Sequence, residues 1–303
     1  MAVLADTSRL VHAPLLHASS HRVTIPCGHQ RLVYRGSPLV MGILNVTPDS
    51  FSDGGRYLDP DMAFRRGVQI VAEGADVLDV GGESTRPGSM GVSLQEELRR
   101  TIPVIRRLTK EVRVPISIDT AKAEVALRAM DAGASMVNDV TALRGDPAMA
   151  SVVARHKAAV ILMHMRGEPR TMQRRPRYHD VVADVASFLA AAAVRAQEAG
   201  VDPGRILVDP GLGFGKTVSH NLTLTRCLDR FVALGFPVMI GPSRKSFIGK
   251  TLNVEVDGRL AGTLACVAMA WWHGVHLVRV HDVKASIQCL QMLEAIRGAH
   301  ASR

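Results

Sequence analysis

Aromatic side chains are scarce in this chain: 7 Phe, 3 Tyr and 2 Trp make up 4% of 303 residues. Proteins that grip single-stranded nucleic acid stack its bases on such rings, so that mode of binding has few platforms here. Cysteine is rarer still. Cys27, Cys227, Cys266 and Cys289 lie far apart without paired ligand spacing, which argues against a zinc motif and a disulfide framework and makes reduced cytoplasmic thiols the default. No apolar run approaches the roughly 18 residues that span a bilayer, so no membrane helix is expected. Linkers, heptads and low-complexity tracts are missing too, which leaves no internal break at which to divide the chain. Acidic residues fall short of basic ones, 28 against 37, giving a net charge of +9. With nucleic acid disfavoured, that excess suits an anionic small substrate, or solubility alone.

What is present is a repeating unit. The first stretch, Met1 to Ser20, is poor in acids, but Asp6, His12 and His17 break any signal-peptide layout; residues 1–20 are expected to be disordered, with an organelle transit peptide the weaker reading. Residues 21–36 alternate Val23, Ile25, then Leu32, Tyr34 around Cys27-Gly28-His29, the pattern of a β-hairpin that covers one end of a barrel. From residue 39 onward, short β-rich runs end in polar tips and lead into amphipathic helices. Those runs are Leu39–Val46, Asp76–Val80, Val114–Ile118, Met136–Val137, Ala158–Met163, Ile206–Val208, Pro237–Ile240 and Val275–Val280. Eight such units at roughly 30-residue spacing predict one (β/α)₈ TIM barrel over residues 39–303, forming a single domain with the N-terminal β-hairpin.

In a barrel of this kind all the strand ends open on one face, so the polar tips converge. Asn45, Asp119, Asn138, Asp209 and Lys245 all stand at such tips. Any one of them could be a helix cap or a turn former, but capping does not require a polar side chain at nearly every tip. Carboxylates and an amide in one pocket suit a planar heterocycle with a mixed donor and acceptor edge, and a guanidine-like edge can give two parallel bonds to one carboxylate. Arg86, Arg244, Lys245, Arg279 and His281 add potential cations to the same mouth. Strands seven and eight of barrels commonly build a phosphate site, and pyrophosphate is the simplest occupant. Ser246–Lys250 could begin a helix whose free N–H groups would receive a carboxylate or phosphate.

The run Gly211-Leu-Gly-Phe-Gly-Lys-Thr217 looks like a phosphate loop but fails the spacing, because the required glycine falls at Pro210. It reads instead as a tight loop bringing Phe214 and Lys216 to the mouth, with Met163, His164 and Met165 as wall residues.

Taken together, Asn45-Val-Thr-Pro-Asp-Ser-Phe-Ser-Asp-Gly-Gly55, Gly81-Gly-Glu-Ser-Thr-Arg-Pro-Gly88, Asp209-Pro-Gly211, Ser243-Arg-Lys-Ser246 and Arg279-Val-His-Asp282 resemble the bacterial dihydropteroate synthases. The resemblance runs from about Leu39 to the C-terminus; Leu212, where that family has a second aromatic, and Pro242 depart from its pattern. It implies displacement of diphosphate from (7,8-dihydropterin-6-yl)methyl diphosphate by the amine of 4-aminobenzoate. It implies pterin contacts at Asp119, Asn138, Asp209 and Lys245 with Met163 in the wall, and diphosphate and Mg²⁺ contacts at Asn45, Arg279 and His281. Aminobenzoate contacts would fall to Thr85, Arg86, Pro87, Phe214, Lys245 and Ser246, with Phe51 and Asp53 on a mobile loop closing over both substrates. A homodimer is implied as well. The main rival is a corrinoid-dependent methyltransferase domain, which has a similar barrel and pterin pocket but expels no diphosphate. A non-catalytic pterin- or nucleic-acid-binding barrel is the other. Both leave the cations at Arg279 and His281 without a purpose.

Overall fold

Leu39–Asn45 is buried along almost its whole length, and its side chains divide by parity. Val40 and Leu44 pack outward among the helices, whereas Met41 packs inward with residues from the neighbouring strands. Strands covered on both faces need this continuous apolar character, and the alternation of side chains decides which residues reach the barrel interior. The computed structural model describes residues 22–47, 60–84, 89, 91–167 and 171–299. The expected disorder of residues 1–20 and the expected loop residues Phe51, Asp53, Thr85, Arg86 and Pro87 lie outside the described residues.

The N-terminal hairpin is β1 (Val23–Cys27) with β2 (Gln30–Tyr34), paired antiparallel with Ile25 opposite Leu32. Gly28, at φ +56°, is the first of its two turn residues, a position that favours glycine in two-residue hairpins. Eight parallel strands follow: β3 (Leu39–Asn45), β4 (Val77–Gly81), β5 (Ile116–Asp119), β6 (Met136–Asp139), β7 (Ala159–Met163), β8 (Ile206–Asp209), β9 (Met239–Ile240) and β10 (Leu277–Val280). They neighbour one another in chain order, and β10 returns to pair with β3. A parallel bridge between Val208 and Val238 closes the ring, making the architecture a TIM barrel. The seventh strand is shorter than the expected Pro237–Ile240 because Pro237 has no N–H to give; its carbonyl still accepts from Val208 N at 2.9 Å.

Ile25, Cys27 and Leu32 of the hairpin join Met41, Val77, Met136, Ala159, Leu207, Met239 and Leu277 in one apolar cluster. Most of those are first residues of their strands, so the hairpin plugs the N-terminal end of the barrel. The opposite end stays open for polar groups. Around the ring run helices α1 (Pro60–Ala72), α2 (Leu94–Glu111), α3 (Ala123–Asp131), α4 (Met149–His156), α5 (Val181–Glu198), α6 (Val218–Arg226), α7 (Leu228–Val232), α8 (Ser246–Leu252), α9 (Leu260–Trp272) and α10 (Val283–Gly298). Their starts follow local chemistry: the Ser93 hydroxyl accepts from Glu96 N, and the Asp180 carboxylate accepts from Val182 N and Ala183 N.

Gly42 is the tightest point of β3. A Cβ there would stand 2.2 Å from Ile70 Cγ2 on α1 and 3.2 Å from Val283 Cγ2 on α10. Both neighbours are fully buried and cannot retreat. Gly42→Ala should therefore destabilise the barrel by about 1–3 kcal/mol through overpacking, read as a lower urea midpoint with unchanged slope.

Candidate active site

Period-two alternation carries from strand to strand through the register. Asn45 pairs with Gly81, Gly81 with Asp119, Asp119 with Asn138, and Met163 with Asp209. The inward positions near the C-terminal ends of β3 to β8 are therefore polar on most strands, and Asp79 and Ser117 extend that polar lining one step lower on β4 and β5. Asp79, Asp119, Asn138 and Asp209 are all buried. Asp79 was not singled out in the sequence, because it stands inside the apolar run Val77-Leu-Asp-Val80; its parity with Val77 and Gly81 was the available signal.

Arg279 of β10 reaches across this floor. Its Nε donates to Asp79 Oδ2 at 2.6 Å and its Nη2 to Asp119 Oδ2 at 2.7 Å. Asn138 Nδ2 donates to the same Asp79 oxygen at 3.1 Å. Among the described residues Asp79 Oδ1, Asp119 Oδ1 and Asn138 Oδ1 are buried here without a hydrogen-bond partner. Orphaned buried acceptors are costly, and at an enzyme's floor they mark where a ligand's donors belong. Burial pushes the Asp119 carboxyl up to about 7, with Arg279 opposing and Asp79 and Glu97 reinforcing the rise. The desolvation of a fully enclosed carboxyl outweighs the attraction of the Arg279 guanidinium, which is why the rise survives the ion pair. Asp209 is likewise pushed up to about 6 by burial, although its Oδ1 accepts from Gly211 N at 2.7 Å.

Above the floor opens a cavity of about 1020 Å³. Asn45, Asp119, Phe214, Lys216, Lys245, Ser246, Arg279 and His281 all line it. Asn138, Met163 and Asp209 are buried deeper, Met163 in a cluster with Val140, Met165, Met172 and Phe214. The Lys245 ammonium lies 4.1 Å from the centre of the Phe214 ring, a cation–π contact that sets the two side by side at the rim. His281 Nδ1 is 2.9 Å from Ser243 Oγ, which also accepts from His281 N at 3.1 Å. Arg244 is turned aside, with Nε and Nη2 on the two oxygens of Asp282 at 3.0 and 2.6 Å. Lys216 lines the cavity, yet its ammonium is directed at backbone carbonyls and His164. Behind the floor, Lys122 pairs with Glu83 and with the buried Glu97, a cluster the sequence did not single out. The expected residues at the described positions therefore meet in one mouth, cationic at its rim and acceptor-rich at its floor.

Among the described residues no group of three His, Cys, Asp or Glu side chains could hold a metal ion by itself. Asn45 contributes one amide at the cavity wall.

The sequence profile of the pterin binding enzyme family matches residues 41–281. Dihydropteroate synthase of Synechocystis sp. is 46% identical over 273 residues, covering 90% of this chain and 94% of the relative. Among solved structures, Xanthomonas albilineans dihydropteroate synthase with 4-aminobenzoic acid superposes with a TM-score of 0.87 at 44% identity, covering 92% of this chain and 100% of that one. The same enzyme in complex with 7,8-dihydropteroate gives a TM-score of 0.82 at 43% identity, covering 91% and 100%.

Proposed function

This chain belongs to the pterin binding enzymes, and from that membership we propose that it is a dihydropteroate synthase, a transferase of folate biosynthesis. It condenses (7,8-dihydropterin-6-yl)methyl diphosphate with 4-aminobenzoate and releases diphosphate. The observation that carries this reading is the floor of orphaned acceptors, Asp79 Oδ1, Asp119 Oδ1 and Asn138 Oδ1, beneath a rim that holds Lys245 and His281. A pterin offers a guanidine-like donor edge to the first set, and a diphosphate offers anionic oxygens to the second.

The chemistry follows from these charges. Loss of diphosphate leaves a cation delocalised into the pterin, so the site must stabilise a departing anion and a growing positive charge. Asp119 lies under the growing charge, and Arg279 and His281 receive the leaving group. Phe214, Lys245 and Ser246 hold the aminobenzoate, with Lys245 also reaching the pterin. No side-chain nucleophile is needed; the aniline nitrogen attacks the methylene and sheds its proton. Mg²⁺ fits as a companion of the diphosphate: Asn45 would give it one oxygen, phosphate and water the others, and it would neutralise leaving-group charge.

Exposed apolar side chains support a homodimer. Leu252, Val256 and Leu260 stand out around the start of α9, and Trp272, Met292 and Ile296 on α9 and α10. Sedimentation equilibrium that gives a monomer at micromolar concentration would remove that part. The cytoplasm is the proposed location, in keeping with four free cysteines.

The test of the reaction is mass spectrometry on purified chain with both substrates and Mg²⁺. Dihydropteroate and diphosphate should appear together, and a sulfonamide should compete with 4-aminobenzoate. Folded protein that yields neither product would overturn the reading, and methyl transfer from a methylated folate would favour the corrinoid rival.

A further inference from the structure

The loop from Gly211 to Lys216 is held from within. Gly211, Gly213 and Gly215 all have positive φ, at +68°, +85° and +64°. A Cβ on Gly211 would stand 2.0 Å from His164 O, and one on Gly215 2.4 Å from Arg166 O, so the loop is pressed against the chain leaving β7. Glycine-rich backbone is entropically expensive to order, and something must hold it. Side chains take its carbonyls in turn: Gln173 Nε2 donates to Gly213 O at 2.5 Å and Tyr178 Oη to Gly215 O at 2.8 Å. Lys216 takes two more, Gly211 O at 2.9 Å and Phe214 O at 3.0 Å, and its Nζ is 2.9 Å from His164 Nδ1.

Resting on the synthase reading, we propose that Lys216 is the positioning residue of the aminobenzoate site: its ammonium clamps the Gly211–Gly215 loop so that Phe214 stays against Lys245. Its three N–H groups face four acceptors, His164 Nδ1, His164 O at 3.3 Å, Gly211 O and Phe214 O, so none is left for a substrate. The residue is 3% exposed, and Phe214, two residues before it, carries the Lys245 ammonium on its ring. Its influence therefore reaches the ring slot at Phe214 directly, and the acceptor floor only through Gly211, whose N–H donates to Asp209 Oδ1 at 2.7 Å.

The charge on this clamp is adjustable. An ammonium that donates to Nδ1 fixes His164 as the neutral tautomer protonated at Nε2, and His164 is held down at about 3 by burial and then by the Lys216 charge. Lys216 is itself lowered to about 7, by burial first, with Asp209 opposing and Lys245 adding to the fall. His164, Asp209 and Lys245 are the charged or titratable groups facing it, with His220, Arg144 and Arg166 further around. As pH rises past about 7 the amine keeps two of its three N–H bonds, and the clamp slackens.

The experiment uses the full chain with Lys216→Met, which fills the space and donates nothing, and Lys216→Arg, which stays charged. Lys216→Met should raise KM for 4-aminobenzoate by about tenfold while KM for the pterin diphosphate moves by less than about twofold. Deuterium uptake at the 211–215 amides should rise in the same variant with no ligand present. In the wild type, KM for 4-aminobenzoate should climb above about pH 7, and Lys216→Arg should flatten that climb. A folded Lys216→Met protein whose two KM values stay put or rise together overturns the proposal, as does unchanged exchange in the loop. If that variant does not fold, the wild type decides: a flat KM for 4-aminobenzoate between about pH 6 and about pH 8.5 overturns it. Wild-type product formation tests the synthase reading separately, and loop exchange does not depend on it.

Discussion

Arg279→Ala should lower turnover by about 10²- to 10³-fold and weaken the fold by about 3–5 kcal/mol near neutral pH. The two losses have one cause. Arg279 is the cation between Asp79 and Asp119, and without it Asp79 keeps a single donor, Asn138 Nδ2, while Asp119 loses its guanidinium. A buried carboxylate stripped of its partner either destabilises the protein or takes up a proton. The stability deficit should therefore be smallest at acid pH, where the Asp119 carboxyl, raised to about 7, is neutral, and grow as pH rises. Urea unfolding at about pH 5 and about pH 8 reads that growth. Arg279→Lys should recover part of the stability and little of the turnover, because one ammonium cannot present two parallel N–H groups to carboxylates on different strands. On the proposed reading, the guanidinium that faces Asp79 and Asp119 must also serve the diphosphate. Ligand donors that satisfy those carboxylates would free it to do so. Wild-type turnover in Arg279→Ala would remove Arg279 from the leaving-group site.

The barrel was legible because its signals are local. Strands buried on both faces read as apolar runs, and Asn45, Asp119, Asn138 and Asp209 stand where those runs stop. What the sequence could not place are contacts set by ring closure and register. Arg279 is 200 residues from Asp79 and 160 from Asp119, and only the pairing of β10 with β3 brings it over the floor. Lys216 is expected at the mouth and lines it, but its ammonium turns to carbonyls that converge only because three glycines adopt positive φ, a backbone feature composition does not encode. The Lys122 cluster with Glu83 and Glu97 is hidden for the same reason, since it joins two neighbouring β/α units. Asp79 is a different case. It is a carboxylate at an inward position of a buried strand, two residues below the tip, and so is legible from parity alone.

Asp119→Asn should cut turnover by about 10²- to 10³-fold and yet leave the protein more resistant to unfolding above about pH 7. The Asp119 carboxyl is raised to about 7, by burial above all, so the folded protein holds a proton that the unfolded chain releases in the ordinary carboxylate range. Between those two limits the folded state binds more protons, and stability must fall as pH rises. Below the unfolded pKa the penalty is absent; above about 7 it is complete. An amide at this position carries no charge and sheds that penalty, at the cost of one bond from Arg279. Function requires the opposite form. A carboxylate can accept from the donor edge of a pterin and stabilise the cation left by diphosphate, and a neutral acid or amide does so poorly. Binding of the pterin diphosphate near pH 6.5 should then release a proton, seen as a heat that depends on the ionisation enthalpy of the buffer, and Asp119→Asn should reduce that dependence to the share left by Asp209, raised to about 6. The acid limb of kcat/KM should fall near pH 7 in the wild type, where Asp119 takes up its proton. Buffer-independent binding heats in the wild type, or an Asp119→Asn enzyme that turns over normally, would leave Asp119 as a structural partner of Arg279 and nothing more.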